Sequence, residues 1–248
     1  MCASRLLPRL AGLFLAAAGV PLAAVADLAH LDGMVLPFKE VVVSSPVQST
    51  IVSIAVREGD KVEAGQPLAQ LYSRLEELDL SRAKAVLQKR TFDHRGAKRL
   101  FDDKIVPEDK ELEARIELEL AQLQHDIAAE NVRLRSIVSP LNGIVVERLR
   151  EVGEAVTATQ PLFRIIDISR VYVQFFIRAE ELPHFSLGQK LVARIEALKD
   201  DRSFPGQVDF IDPRVDASSG LLRVRLLVEN PDQVIKAGMR ATVDATAK

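Results

Sequence analysis

The sequence has no tryptophan, one cysteine and only 5% aromatic residues. These scarcities argue against a disulfide framework, a thiolate metal cluster and an aromatic platform for stacking bases. An excess of either charge is also lacking, because 33 Lys+Arg stand against 35 Asp+Glu for a formal charge of -2 over 248 residues. No global field therefore selects nucleic acid, which is not an expected partner. The chain contains no Gly-x-Ser-x-Gly, His-Glu-x-x-His, phosphate loop or dinucleotide fingerprint. His30, His94, His125 and His184 are isolated from one another, and beyond the initiator the only methionines are Met34 and Met239. His94 and His125 could meet across the helical hairpin described below, but a metal centre needs further convergent ligands. No catalytic, cofactor-binding or metal-binding residues are expected, and the chain does not read as an enzyme.

At the N-terminus, Arg5 and Arg9 precede an apolar run from Leu10 to Val25 that ends in Ala24-Val25-Ala26. Basic, apolar and small-x-small parts in that order read as a secretory signal peptide over 1–26. The run is short of the roughly 20 residues of a spanning helix, with an uncleaved anchor as the alternative. Cleavage after Ala26 would remove Cys2 together with Arg5 and Arg9, taking the charge to about -4. A cysteine-free exported chain suits the periplasm.

An internal repeat organises the rest. Ser45–Leu71 lies over Ser139–Ile165 at a constant offset of 94, with identities at Ser45/Ser139, Pro46/Pro140, Val52/Val146, Gly59/Gly153, Val62/Val156, Ala64/Ala158, Gln66/Gln160, Pro67/Pro161 and Leu68/Leu162. Each copy holds a β-rich run, a glycine turn and a Gln-Pro-Leu entry into a further strand. A copy of this size cannot bury a core by itself, so the two should pack into one small sandwich.

Between the copies the periodicity changes to that of helices. The first helix is expected from about Arg74 to Phe101, with Leu80, Ala83, Leu87, Ala97 and Phe101 near heptad spacing, interrupted by Arg90 and His94. The second is expected to begin at Pro107 and to present Leu112, Ile116, Leu120, Leu123, Ile127 and Leu134 to its partner. Leu118 and Ile105 fall off that stripe. Arms of this length would project roughly 40 Å. After Val171 alternation returns, with turns expected at Leu187-Gly188, Phe204-Pro205-Gly206, Ser218-Ser219-Gly220 and Ala237-Gly238, which implies a small antiparallel barrel.

This order of parts resembles the periplasmic adaptor, or membrane fusion protein, family of bacterial efflux systems, of the resistance-nodulation-division type. Val56-Arg57-Glu58-Gly59-Asp60-Lys61-Val62-Glu63-Ala64-Gly65-Gln66-Pro67-Leu68 is similar to the first lipoyl-like half of that family, and Ser139-Pro140-Leu141-Asn142-Gly143-Ile144-Val145 to the opening of the second. Ile211-Asp212-Pro213-Arg214-Val215-Asp216, Arg223-Val224-Arg225, Asn230-Pro231 and Ile235-Lys236-Ala237-Gly238-Met239 resemble its barrel. The resemblance implies a mainly β fold with an α-helical coiled-coil hairpin: a lipoyl/biotinyl-like β-sandwich split by the hairpin, then an antiparallel β-barrel. The segments are a signal peptide at 1–26, an N-terminal strand or lead-in at 27–44, lipoyl-like half 1 at 45–72, the hairpin at 73–138, half 2 at 139–168 and the barrel at 169–248.

The resemblance also implies a non-catalytic subunit linking an inner-membrane transporter to an outer-membrane channel. Copies would assemble in a ring, commonly six, and hinges are expected near Tyr72–Arg74 and Ser136–Pro140. The lipoyl-like fold is expected to carry no cofactor, because the helical insertion occupies the point where an attachment lysine would sit. Partner docking is assigned to the hairpin tip: Arg95, Arg99, Leu100, Phe101, Asp102, Asp103, Lys104 and Pro107. This tip departs from the family pattern, since Arg95 precedes Leu100 by five residues and Pro107 stands where a serine would be expected. Longer members carry a membrane-proximal domain after the barrel, so docking to the transporter is expected on the barrel itself. An adaptor for an ATP-driven system and a non-transport envelope scaffold are the alternatives. From the expected stripe, Leu123→Asp or Ile127→Asp should open the hairpin at a cost of about 2 to 5 kcal/mol, read by circular dichroism and thermal melts.

Overall fold

The structure, a computed structural model, describes residues 30–198 and 202–245; the expected signal peptide lies outside the described residues. Its strands are β1 (Leu31–Ser44), β2 (Ser49–Ile54), β3 (Lys61–Val62) and β4 (Pro67–Leu71), followed by helices α1 (Arg74–Asp102) and α2 (Glu108–Arg133). The chain continues through β5 (Ser136–Val138), β6 (Gly143–Arg148), β7 (Ala155–Val156), β8 (Pro161–Arg178), β9 (Lys190–Ile195), β10 (Ser203–Ile211), β11 (Leu221–Glu229) and β12 (Arg240–Asp244). A short 3-10 turn, Ala179–His184, follows β8 and has no counterpart in the sequence reading.

The repeat builds the first core as a pair of matched halves. Buried Val43, Ile51, Val62, Leu68, Ala69 and Leu71 recur, 94 residues on, as buried Ile137, Val145, Val156, Leu162, Phe163 and Ile165. Only buried Val56 lacks an apolar counterpart, the equivalent residue being Arg150. The halves exchange main-chain hydrogen bonds. Ser45 N–H donates to the Gln160 carbonyl at 2.9 Å and Thr159 N–H to the Ser45 carbonyl at 2.8 Å; reciprocally, Ser139 N–H donates to Gln66 at 2.9 Å and Gly65 N–H to Ser139 at 2.8 Å. Both serines are 1% exposed, and each hydroxyl donates at 2.6 Å to the carbonyl two residues on. The N–H, carbonyl and hydroxyl of both buried serines are thus re-bonded.

The second core is a closed barrel in the order β1-β12-β9-β10-β11-β8, with β8 returning to β1. Its sixth strand is the first half of β1, which pairs β12 through Leu31–Met34 and β8 from Gly33 onward. The barrel therefore draws a strand from outside the expected 169–248 segment. Strand β8 is shared too: Leu162, Phe163 and Ile165 enter the sandwich core, whereas Ile168, Val171, Val173, Phe175 and Ile177 enter the barrel core. A two-stranded ribbon of β1 and β8 consequently runs through both cores, with a register shift between Pro37 and Lys39. The turn expected at Phe204-Pro205-Gly206 is instead the interior of β10, where Pro205 pairs with Val192 and Gly206 with both Leu191 and Val228. Glycine is needed there for close packing, because a Cβ would lie 2.8 Å from the Leu227 carbonyl oxygen and 2.7 Å from the Leu226 Cγ.

The hairpin corrects the sequence reading of α2. On α1 the residues turned inward are Glu76, Leu80, Ala83, Leu87, Arg90, His94 and Ala97, as the heptad spacing expects, but Phe101, expected on the same stripe, is exposed where the helix ends at the turn. On α2 they are Glu111, Ala114, Leu118, Ala121, His125, Ala128 and Val132, also at alternating intervals of three and four. Leu112, Ile116, Leu120, Leu123 and Ile127 lie on the opposite face, exposed, with Leu123 and Ile127 at 53% and 63%. Leu118, expected off the seam, lies on it, whereas Ile105 is exposed as expected. The physical reason is pairing across the seam. Arg90 reaches Glu117 at 2.6 Å, His94 reaches Glu111 at 3.2 Å and Arg135 reaches Glu76 at 2.5 Å. Those partners set the rotation of α2, and its alanines let the helices approach closely.

Two outcomes follow for stability. Ala121→Leu should force the buried seam apart and cost about 1 to 3 kcal/mol, whereas Leu123→Asp should change stability by no more than about 0.5 kcal/mol, both read from chemical denaturation. Equal losses at the two sites would contradict this seam. Thr159 has φ of 68° at the position where the other half has Gly65, φ 85°. A β-branched residue in the left-handed region is strained, so Thr159→Gly should stabilise by about 1 kcal/mol. An unchanged or lower melting temperature would contradict that.

Candidate functional site

The hairpin turn is built by its own backbone. Asp103 N–H donates to Arg99 at 3.0 Å, Lys104 N–H to Phe101 at 2.9 Å and Ile105 N–H to Leu100 at 2.7 Å, while Lys104 turns the chain with φ of 61°. Helix α2 starts at Glu108, one residue later than expected, and Pro107 is the extended residue ahead of it. Glu108, Asp109 and Glu111 in its first turn suit the positive end of the helix dipole.

Of the assigned docking residues, Arg99, Leu100, Phe101, Asp102, Asp103, Lys104 and Pro107 are all exposed within this turn and its flanks. Exposed Ile105 joins them. Arg95 is not part of the tip: it stands a full turn lower on α1, beside the groove lined by Gln88, Thr91, Phe92 and His125. The tip therefore offers apolar Leu100, Phe101 and Ile105 among charges of both signs, which suits contact with another protein and not catalysis.

At the hairpin base, the expected hinge segments are tied down. Ser136–Val138 is strand β5, paired with β4. Leu71 N–H donates to the Arg135 carbonyl at 2.8 Å and Tyr72 N–H to the Thr50 carbonyl at 2.9 Å, while the Arg135 guanidinium also donates to the Gln48 carbonyl at 3.2 Å.

The barrel residues singled out by the sequence reading divide into two kinds. Asn230 is buried and structural: its Nδ2 donates to the Ile168 and Ile235 carbonyls at 2.8 and 2.9 Å, and its Oδ1 accepts from Ile235 N–H at 3.1 Å. Gly238 and Met239 exchange hydrogen bonds with Val35 and so bind the last loop to β1. Asp212, Arg214, Val215, Asp216 and Arg223 instead line an open cleft of about 420 Å³ with Gln174 and Phe176. The backbone N–H and guanidinium of Arg214, and then the Arg223 charge, hold the Asp212 carboxyl below its ordinary value. The Ser218 hydroxyl and the N–H groups of Ser219 and Ser218 bring Asp216 down to about 2. Both carboxylates are thereby committed to shaping their loop, not poised for proton transfer.

The sequence reading missed a cationic and aromatic ladder on the outer barrel wall. Arg225 stands 4.7 Å from the centres of both the Tyr172 and Phe210 rings, and Arg170 stacks 3.8 Å above Phe38. The period-2 alternation of β8 and β11 places Arg170, Tyr172 and Arg225 outward, but cross-strand register, invisible in the sequence, is what stacks them against Phe38 and Phe210. Burial, then the nearby Asp209 carboxylate, raises the Tyr172 hydroxyl above its ordinary value. His94 and His125 have separate partners, Glu111 and Asp126. Among the described residues no three His, Cys, Asp or Glu side chains converge to hold a metal. Nor is any helix among them long and apolar enough to cross a membrane.

Comparison with known proteins fits this geometry. A family described as CzcB-like, barrel-sandwich hybrid domain matches residues 39–167, and one described as CusB-like, beta-barrel domain matches 170–248. The chain is 27% identical over 243 residues to nodulation protein NolF of Rhizobium meliloti, covering 91% of this chain and 66% of that protein. It is 26% identical over 211 residues to the cobalt-zinc-cadmium resistance protein CzcB of Cupriavidus metallidurans, covering 78% and 40%. It is 25% identical over 246 residues to multidrug resistance protein MdtE of Escherichia coli, covering 87% and 63%. The chain thus spans about two-fifths to two-thirds of the length of these relatives.

Among solved structures, the fold is shared with a MacA-MexA chimera carrying the Pseudomonas aeruginosa MexA α-hairpin domain, at TM-score 0.76 and 22% identity over 86% of this chain and 78% of that one. It is shared also with the membrane fusion protein Spr0693 of Streptococcus pneumoniae, at TM-score 0.71 and 19% identity over 88% and 99%. With a split sandwich, an inserted hairpin and a closed barrel in place, and the CzcB-like model spanning more than half its length, this chain belongs to the membrane fusion protein family of resistance-nodulation-division efflux systems.

Proposed function

We propose that the chain is a periplasmic adaptor that links an inner-membrane transporter to an outer-membrane channel, assembles as a ring of copies, six by the family's common number, and performs no chemistry of its own. The observation that carries this reading is the continuous β1–β8 ribbon. It runs through both cores, so displacement of the barrel is passed to the sandwich through strands instead of a flexible linker. The sandwich passes it on to the hairpin through the Leu71–Arg135 and Glu76–Arg135 contacts at the hairpin base. A load path of this kind serves a mechanical coupler. The barrel, with its Arg170, Arg225, Tyr172 and Phe210 face, would receive the transporter, and the exposed tip from Arg99 to Pro107 would meet the channel.

Relatives named for cobalt, zinc and cadmium resistance, for multidrug resistance and for nodulation share this architecture, so it does not select the cargo. Export through a cleaved segment 1–26 accounts for the periplasmic location in this reading.

The test is capture of partners from intact cells by crosslinking, followed by mass spectrometry. The tagged wild type should bring down a proton-driven transporter and an outer-membrane channel. Ile105→Asp combined with Leu100→Asp, both at exposed positions, should reduce channel recovery at least tenfold and leave transporter recovery unchanged. Recovery of an ATPase would reassign the chain to an ATP-driven exporter, and recovery of neither partner would leave an envelope scaffold.

A further inference from the structure

Elsewhere in the chain arginines commonly hold carboxylates, as Arg90, Arg135 and Arg164 do. On the outer barrel wall they hold aromatic rings instead. Lys39 and Arg170 stand 5.4 and 3.8 Å from the centre of the Phe38 ring, which lies 5.7 Å from that of Tyr172. Arg225 is 4.7 Å from the centres of both Tyr172 and Phe210, and Arg223 is 5.6 Å from Phe210. One row of alternating cations and rings thus crosses β1, β8, β11 and β10.

The donors of this row are largely unspent. Arg223 is tied to Asp212 at 3.0 Å, but Lys39, Arg170 and Arg225 form no ion pair or side-chain hydrogen bond among the described residues. Glu229 faces Arg170 in the strand register and Asp209 lies beside the Tyr172 hydroxyl, yet neither acid is ion-paired with a guanidinium. The Nε of Arg225 is in addition withdrawn from water without a partner. A donor left so costs the folded chain stability. A guanidinium whose plane is fixed by stacking has little freedom left to lose on binding, and its fork suits a carboxylate taken by two parallel bonds. Along the same wall Met34, Phe176 and Val215 are exposed. Arginine, aromatic and methionine side chains together are the composition of the centre of a protein interface. A bilayer surface fits less well, because the rings are engaged by cations and not free to insert, and Asp209 and Glu229 stand among the bases.

We propose that this wall docks an acidic segment of the inner-membrane transporter, one carboxylate of which is held by the Arg225 guanidinium between Tyr172 and Phe210, while Arg170 and Lys39 attract a second acid. The inference rests on the adaptor reading and deepens it by naming the chemistry that the transporter must offer. Charge complementarity of this kind selects the partner, and the clamped arginine sets how long it stays.

Photocrosslinking in intact cells tests it. A p-benzoylphenylalanine placed at Gln174, opposite Arg225 in the strand register, should link to a transporter segment that carries Asp or Glu at the point of attachment. Arg225→Met, which keeps bulk against the two rings, and Arg225→Lys, which keeps the charge and loses the fork, should each cut that crosslink at least fivefold and leave the melting temperature unchanged. Arg225→Glu should abolish it, and reversing the linked acid to arginine should restore it, which separates docking from folding. Added salt should weaken the wild-type crosslink and leave the remainder seen with Arg225→Met as it is. A crosslink indifferent to all three substitutions, or a linked segment without an acid, would overturn the proposal. So would Arg225-dependent sedimentation of the purified chain with vesicles of phosphatidylcholine and phosphatidylglycerol in equal parts, which would give the wall to the bilayer. If the tagged chain still captured the transporter but Gln174 gave no link to it, this docking would fall and the adaptor reading would stand; capture of no transporter at all would remove both.

Discussion

Everything in this fold depends on the reciprocal exchange of hydrogen bonds around Ser45 and Ser139. The two halves lie far apart in sequence, and neither has a core until the other supplies the facing residues, as the matched set from Val43/Ile137 to Leu71/Ile165 shows. Bringing them together closes a long loop, and the entropy of closure grows only slowly with loop length. The hairpin lowers that cost further. Its antiparallel arms return the chain to its starting point, where Leu71 bonds to Arg135 and β4 pairs with β5. The insertion is therefore part of what closes the sandwich.

The inner seam of the hairpin is polar for much of its length, with Glu76, Arg90, His94, Glu111 and His125 at positions that a more stable coiled coil would give to leucine, and with Glu76, Arg90 and His94 held by Arg135, Glu117 and Glu111. Partly exposed ion pairs of this kind add little stability. What polar groups at such positions do supply is register. Register matters here because a slip of one turn between α1 and α2 would carry Arg90 away from Glu117 and His94 away from Glu111. In this sense the inner seam gives up packing energy to hold its two arms in one alignment.

The repeat was legible in the sequence because turns constrain residue type strongly: Gly59 and Gly153 both have φ of 91°, and the Gln66 and Gln160 side chains each accept a hydrogen bond from the N–H three residues earlier. The exposed tip was equally plain, from the break in helical pattern between Phe101 and Pro107. Two features were not legible. Strand β1 serves both cores, and alternation within one strand does not say which sheet lies on either side of it. The orientation of α2 is hidden because large aliphatics at helical spacing point to the seam, whereas alanines and residues in long-range ion pairs occupy it. Size alone cannot distinguish a helix with one apolar face from a helix with two. Gly206 shows the same limit in a strand: a Pro-Gly pair signals a turn locally, and only the packing of β10 against β11 shows that the glycine is there for close approach.

A mechanical part must be stiff along the direction in which it transmits force and soft elsewhere. Strands are well suited to the first requirement here, because β1 and β8 are held by a ladder of paired residues from Gly33–Phe175 to Val43–Phe163, interrupted between Pro37 and Lys39. The irregularity falls where β8 leaves one core for the other, between Ile165 of the sandwich core and Ile168 and Val171 of the barrel core. A bulge bends a sheet without severing it. At that location the ribbon changes direction between the two cores while paired residues on both sides keep barrel and sandwich joined through strands. Displacement of the barrel therefore still reaches the sandwich, and from it the hairpin base, along paired strands.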